Sequence, residues 1–109
     1  MDSWDLRMIA VAPHQPQILH SSRGESRSVV IALPAGESLQ DHEVHERAHV
    51  LVIDGDVEIA SASSTVSGGA GTFVILDPKE RHEVRAVTDA RLLLVLAPWP
   101  GAGHPGARD

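Results

Sequence analysis

The chain of 109 residues contains no cysteine, which excludes disulfides and thiolate chemistry and leaves His and carboxylate side chains as the only metal ligands of note. Aromatic residues are nearly as scarce: Trp4, Phe73 and Trp99 are the whole set, so a platform for stacking bases is not expected. Positive charge is in the minority, with nine Lys and Arg against fifteen Asp and Glu and a formal net charge of −6. No Lys/Arg cluster breaks that pattern, and a chain of this kind repels phosphate backbones, which argues against nucleic acid as a partner. Long hydrophobic runs are absent too. The longest, Leu92 to Ala97, is far too short to span a bilayer, and Met1-Asp2-Ser3-Trp4-Asp5 has neither the basic region nor the apolar run of a signal peptide. A cytoplasmic protein without membrane contact is the expectation.

What the chain has is 42% apolar residues, rich in Val, Leu, Ile and Ala, which is a globular composition. Its length allows one domain around one core. The apolar residues come in short runs cut by turn residues, with no helical spacing sustained over a long window. Strands are predicted near Leu6–Ala12, Gln17–His20, Ser26–Leu33, Ala48–Ile53, Val57–Ala62, Gly71–Leu76, His82–Val87 and Arg91–Leu96, with a short one through His42–Val44. Asp54-Gly55, between two β-rich runs, predicts a two-residue hairpin of type I′. Many short strands without helices argue an all-β fold: a small antiparallel β-barrel or double-sheet jelly roll, closed so that its edges are protected. Leu92–Leu96 is apolar on both faces and calls for a cover on its outer side, from a partner subunit or from the N-terminal segment. The barrel core is expected over about 26–97, followed by a Pro/Gly-rich tail over 98–109 that cannot make regular structure.

The chemical signal is histidine. There are seven, His14, His20, His42, His45, His49, His82 and His104, and three of them fall in Asp41-His42-Glu43-Val44-His45-Glu46-Arg47-Ala48-His49. Neutral imidazole is a common transition-metal ligand, and a carboxylate often completes the set. On a strand, however, His42 and Val44 share one face while His45 and His49 have the opposite parity, so the three converge only if a loop or bulge intervenes. Glu80-Arg81-His82-Glu83 reads as a solvated turn, the alternatives being Glu80 at the barrel mouth or Glu83 orienting an imidazole. Gly68-Gly69-Ala70-Gly71 is followed by no Lys-Ser/Thr and no helix, so it is not a phosphate loop. Ser61-Ala62-Ser63-Ser64-Thr65 reads as a hairpin tip, since no nucleophile elbow surrounds it.

Two segments in order carry a family resemblance. Gly36-Glu37-Ser38-Leu39-Gln40-Asp41-His42 through Gly55 resembles the first cupin motif: Gly, five residues, His, one residue, His, three or four residues, Glu, six residues, Gly. Gly71-Thr72-Phe73-Val74-Ile75-Leu76-Asp77-Pro78-Lys79-Glu80-Arg81-His82 resembles the second: Gly, five residues, Pro, one residue, Gly, two residues, His. Gly36, His42, Gly55, Gly71 and His82 fall in register, and Pro78 is displaced by one. The chain thus resembles a small single-domain cupin of the cupin-2 conserved-barrel kind, over roughly Ser26 to Ala97. Four positions depart from the pattern. Val44 stands for the second His, Ala48 for the Glu, Lys79 for the second motif's Gly, and Ala86 for its usual Asn.

The resemblance implies a double-stranded β-helix with one divalent transition metal (Fe, Mn, Ni, Cu or Zn) at its mouth and no organic cofactor. Only His42 and His82 match the family's metal ligands; His45, His49 and Glu46 are the candidates for the missing ones if the turn between strands is reshaped by a residue. The opposing expectation is a metal-free polar pocket between His42 and His82. In function, a small-molecule-binding cupin is implied, either a metal-dependent enzyme of dioxygenase or isomerase kind or, alternatively, a metal-free ligand-binding or sensor module. A barrel that serves only as a scaffold is the third reading. A homodimer is expected, because small cupins often pair and Leu92–Leu96 needs its outer cover.

Overall fold

The computed structural model of the chain describes residues 1–42 and 46–98, the side chains of residues 40–42 excepted. Nine strands are formed among them: β1 Gln17–Ser22, β2 Ser26–Leu33, β3 Ser38–His42, β4 Arg47–Asp54, β5 Val57–Ser61, β6 Thr65–Gly68, β7 Phe73–Leu76, β8 His82–Ala86 and β9 Ala90–Ala97. They make a five-stranded sheet in the order β1-β2-β9-β4-β7 and a four-stranded sheet in the order β3-β8-β5-β6, with every pairing antiparallel. From β2 onward the chain passes repeatedly from one sheet to the other. The expected all-β jelly roll is therefore the fold observed.

Alternation explains how the two sheets meet. In β4, Ala48, Val50 and Val52 are buried while His49, Leu51 and Ile53 are half-buried. In β8, His82, Val84 and Ala86 are the buried set. With a period of two, each strand sends one set of side chains inward, and the sets from the two sheets close a core around Val52, Val57, Val84 and Leu92.

Three local expectations are corrected. Asp54-Gly55 does not close a hairpin: β4 and β5 lie in different sheets and do not pair, so the dipeptide is a corner between sheets. Type I′ needs left-handed φ at both central residues, and here only Gly55 has it, at +82°. Glycine is required for a second reason, since a Cβ at Gly55 would run into the Asp89 carbonyl oxygen. That loop is zipped into the corner by Asp56 N donating to Thr88 Oγ1 at 2.9 Å and Val87 N donating to Asp56 O at 2.8 Å. Leu6–Ala12 is not a strand. Met8 and Ile9 donate backbone N–H groups to Asp5 O instead, making a turn. The Asp5 carboxylate accepts from the Arg7 backbone and then its side chain, which holds the carboxyl below its usual range. Ser61–Thr65 is the hairpin tip expected, joining β5 to its antiparallel partner β6; Thr65–Gly68 itself is short and exposed and lacks the apolar alternation by which a strand is read from sequence. β3 occupies Ser38–His42, earlier than the strand expected at His42–Val44, of which residues 43 and 44 lie outside the described residues.

The outer side of β9 is covered in part by the N-terminal segment. Arg91 points outward and donates from Nη1 to the carbonyls of both Leu6 and Ile9 at 2.8 Å. Val30, opposite Leu93 on that face, is fully buried.

Leu92 is 1% exposed at the centre of the core, so Leu92→Ala is expected to lower stability by about 2–5 kcal/mol in urea unfolding. Gly55→Ala is expected to cost more than about 1 kcal/mol by the same measurement, because the backbone hand and the Asp89 carbonyl both oppose a Cβ; an unchanged midpoint would contradict the corner described.

Candidate functional site: the open end of the barrel

One end of the barrel collects the charged and imidazole side chains. At the close of β7, Leu76 pairs with Ala48 of β4. The chain then turns through 77–81 and re-enters as His82, the first residue of β8, in the other sheet. His82 lies opposite Ser61 at the end of β5 and opposite His42 at the end of β3. Glu46 immediately precedes β4. The backbone positions of His42, Glu46 and His82 thus gather at this end.

Parity decides which side chains enter. Glu46 continues the row Ala48, Val50, Val52 and is 5% exposed. His82 continues the row Val84, Ala86 and is also 5% exposed. Among the described residues these two are the buried polar or charged side chains. The family motif places its carboxylate at Ala48, which is apolar and buried here. A shift of two residues keeps the face of a strand, so Glu46 presents a carboxylate on the same side of β4, one pleat repeat nearer the mouth.

His82 is held by the turn that precedes it. Its Nδ1 is 3.2 Å from the Glu80 carbonyl oxygen. A carbonyl only accepts, so in this contact Nδ1 is the donor and carries a proton. The turn itself is fixed twice over: Glu80 N donates to Asp77 O at 3.0 Å, and Asp77 N donates to Glu80 Oε1 at 3.0 Å. Arg47 clasps it from β4 through a 2.6 Å ion pair with Asp77. Both partners are well exposed, so the pair contributes little stability, below about 1 kcal/mol, and serves to fix position. Lys79 has φ +66°, with Pro78 before it, which is the signature of a type II turn, where the third residue must be left-handed. This is the position where the family motif has Gly, and Lys79 adopts the backbone that glycine takes without strain. Sequence reasoning treated 80–83 as a solvated turn and missed the Glu80 carbonyl as the anchor of His82. The Pro-Lys pair bracketed by Asp77 and Glu80 is the signal that could have found it.

The remaining candidates fall elsewhere. His49 has the opposite parity to Glu46 and lies on the outer face, its ring stacked on Phe73 at 6.1 Å and 18° with Nδ1 3.4 Å from the Val95 carbonyl. The structure does not bring it together with His82. His42 has only its backbone described; between Leu39 and His42 the β3 ladder contains a bulge of one extra residue, which lies before His42 and leaves the spacing of His42, His45 and His49 as it was. His45 and His104 lie outside the described residues. His14 and His20 face solvent beside Glu37 and Glu25. Among the described residues no group of three His, Asp or Glu is placed to hold a metal ion. Glu46 and His82 alone fall short of the three protein ligands that catalytic metals ordinarily have, so no chemistry is derived through a metal here.

No family model and no curated protein matches the chain. Solved structures do. An RmlC-like cupin protein from Desulfovibrio desulfuricans superposes with a TM-score of 0.76 and 25% identity, over 90% of this chain and 97% of that one. The chain has the cupin fold. A cupin-2 conserved barrel domain protein from Salinispora arenicola matches at TM-score 0.70 and 21% identity, covering 94% and 89% of the two chains. An RmlC-like cupin with a double-stranded β-helix from Methanocaldococcus jannaschii matches at 0.76 and 16%, over 92% and 93%. In this cupin-fold chain, then, the second motif's glycine is replaced at a turn that still demands its conformation.

Lys79→Gly is accordingly expected to stabilise the protein by about 1 kcal/mol, by relieving the left-handed backbone without touching a packed side chain. A fall in the urea midpoint would contradict the turn assigned to 77–80.

Proposed function

We propose that this cupin binds a small organic molecule at the mouth of its barrel, with Glu46 and His82 as the groups that recognise it. The observation that supports the reading is the burial of a carboxylate and an imidazole, each 5% exposed, at the same end of an otherwise apolar interior. In that low-dielectric setting a hydrogen bond from a ligand to the carboxylate or to the imidazole is stronger than it would be in water. A compact molecule bearing hydroxyl or amine groups fits this chemistry. The turn at 77–80 fixes the orientation of His82 before any ligand arrives, which reduces the ordering cost of binding. This is the binding-module reading, without a catalytic step. No helix among the described residues is long and apolar enough to cross a membrane, and a cytoplasmic location belongs to the same proposal.

One observation favours the metal-dependent enzyme as a second reading: His42, the family's first ligand position, lies directly opposite His82 in the ladder. A bound Fe, Mn, Ni, Cu or Zn ion would supply Lewis acidity there. Elemental analysis of the untagged protein after incubation with each ion separates the two readings. Near one metal per chain, lost in His82→Ala and kept in His104→Ala, supports the enzyme; no retained metal supports the metal-free binder.

The binder is tested directly by a thermal-shift screen of small polyols, amines and amino alcohols. A compound that stabilises the wild type is expected to lose most of its shift in Glu46→Gln and His82→Gln while keeping it in His104→Ala. A shift that persists in full in both mouth variants would place the ligand elsewhere and overturn the proposal.

A further inference from the structure

The end of the barrel opposite the mouth has a cavity of its own. β1 starts at Gln17, opposite Val30, so Ile31, Ala32 and Leu33 carry β2 beyond it. There Ala12, His14 and Pro16 of the N-terminal segment border a cavity of about 260 Å³ against β2 and the start of β3. Its floor is apolar. Ile31 and Leu33 pair with Leu92 and Ala90, and Leu39 pairs with Val84, so all three have the parity of core residues. The rim is polar: His14 Nε2 lies 3.2 Å from Glu37 Oε1. Leu33 sits opposite Ala90, the first residue of β9, whereas Arg47 at the mouth sits opposite Ala97, the last. That separates the two ends by roughly 23 Å of strand.

Both halves of the rim are held in place. On the barrel side, Glu37 N donates to Pro34 O at 3.0 Å, Gly36 N to Ala86 O at 2.8 Å and Ala86 N to Glu37 O at 2.9 Å, which ties Glu37 to the end of β8. On the N-terminal side, Pro13 and His14 are the two central residues of a type II turn, closed by Gln15 N donating to Ala12 O at 3.2 Å. His14 has φ +64°, a left-handed backbone that strains a residue carrying a Cβ. Strain of this kind clusters at ligand clamps, and here it sets an imidazole beside the carboxylate of the cavity rim.

We propose that this far-end cavity is a second ligand site, which takes a small primary amine with an apolar body. Glu37 receives the ammonium, the hydrocarbon lies on Ile31, Leu33 and Leu39, and the Pro13-His14 turn clamps the ligand from the N-terminal side. Charge selects that class. Glu37 is the acidic member of the lining, and among the described residues no Lys or Arg shares it. A carboxylate has about four acceptor sites and the imidazole engages one, which leaves room for an ammonium. The net charge of −6 attracts cations and repels anionic ligands. The volume lies just under the roughly 300–1,000 Å³ of ordinary ligand pockets, so a compact amine fits and a large cofactor does not. The inference is independent of what the mouth binds.

Titration of the isotope-labelled full chain with benzylamine at neutral pH, followed by two-dimensional amide NMR, tests the site. Saturable shifts are expected at Ile31, Leu33, Glu37, Ser38 and Leu39 and not at 80–84, with a Kd of about 1 mM for so small a probe. Glu37 is 42% exposed at the side chain, so Glu37→Gln leaves the fold intact. That variant is expected to bind benzylamine roughly threefold or more weakly, and the wild type to bind benzyl alcohol and benzoate weaker than benzylamine by at least about the same factor. An absence of saturable shifts up to about 20 mM overturns the proposal, and so do shifts confined to the mouth. Equal binding of benzylamine by the Glu37→Gln variant, or of benzyl alcohol or benzoate by the wild type, overturns it as well, because the carboxylate would then not select the ligand.

Discussion

Two sheets that close on one another can each bury a single face, and this holds each strand to a two-residue period wherever no bulge interrupts it. β4 shows what that constraint decides. Its even-numbered residues Ala48, Val50 and Val52 fill the core, and Glu46, next in the same series, is carried inside with them. Its odd-numbered residues Arg47, His49 and Leu51 are sent to the other side, among Phe73, Ile75 and Val95. A carboxylate and an imidazole only three residues apart are thereby assigned to opposite sides of one sheet. The interior chemistry and the outer apolar face are two consequences of one alternation.

The second determinant is the connection between β7 and β8. A strand ladder places His82 at the mouth, but a ladder does not place a proton on Nδ1. The turn at 77–80 does, because its Glu80 carbonyl faces Nδ1 and can only accept a hydrogen bond. The turn needs a left-handed residue at Lys79, and the strain there is held by the two hydrogen bonds between Asp77 and Glu80 and by Arg47 reaching across from β4. Backbone strain in this barrel is thus stored beside the imidazole it positions.

Much of the fold was legible in the sequence, and so was one site residue. Val50–Ile53, His82–Val87 and Arg91–Leu96 announced themselves because β-rich runs bounded by Gly, Pro and Asp have few alternatives to a strand. What could not be read was which sheet each strand joins. Asp54-Gly55 carries the local signature of a hairpin, and only the packing of Asp89 against Gly55 turns it into a corner. Leu6–Ala12 is apolar enough for a strand, yet its backbone is claimed by Asp5 and Arg91, the latter more than eighty residues away. At the site, His82 follows from the second motif. Glu46 was a candidate by proximity alone; its inward direction needed the register of β4. His49 looked equivalent on paper and differs only by parity.

The account stands on the claim that parity puts His82 inside and leaves the surface histidines outside. Diethyl pyrocarbonate labelling followed by peptide mass spectrometry tests this most directly. His14 and His20, more than half exposed at the side chain, are predicted to react first, and His82, 5% exposed, only as the protein unfolds. Labelling of His82 in the native protein as fast as His14 would mean that the β8 row does not face inward, and the site built on it would fall.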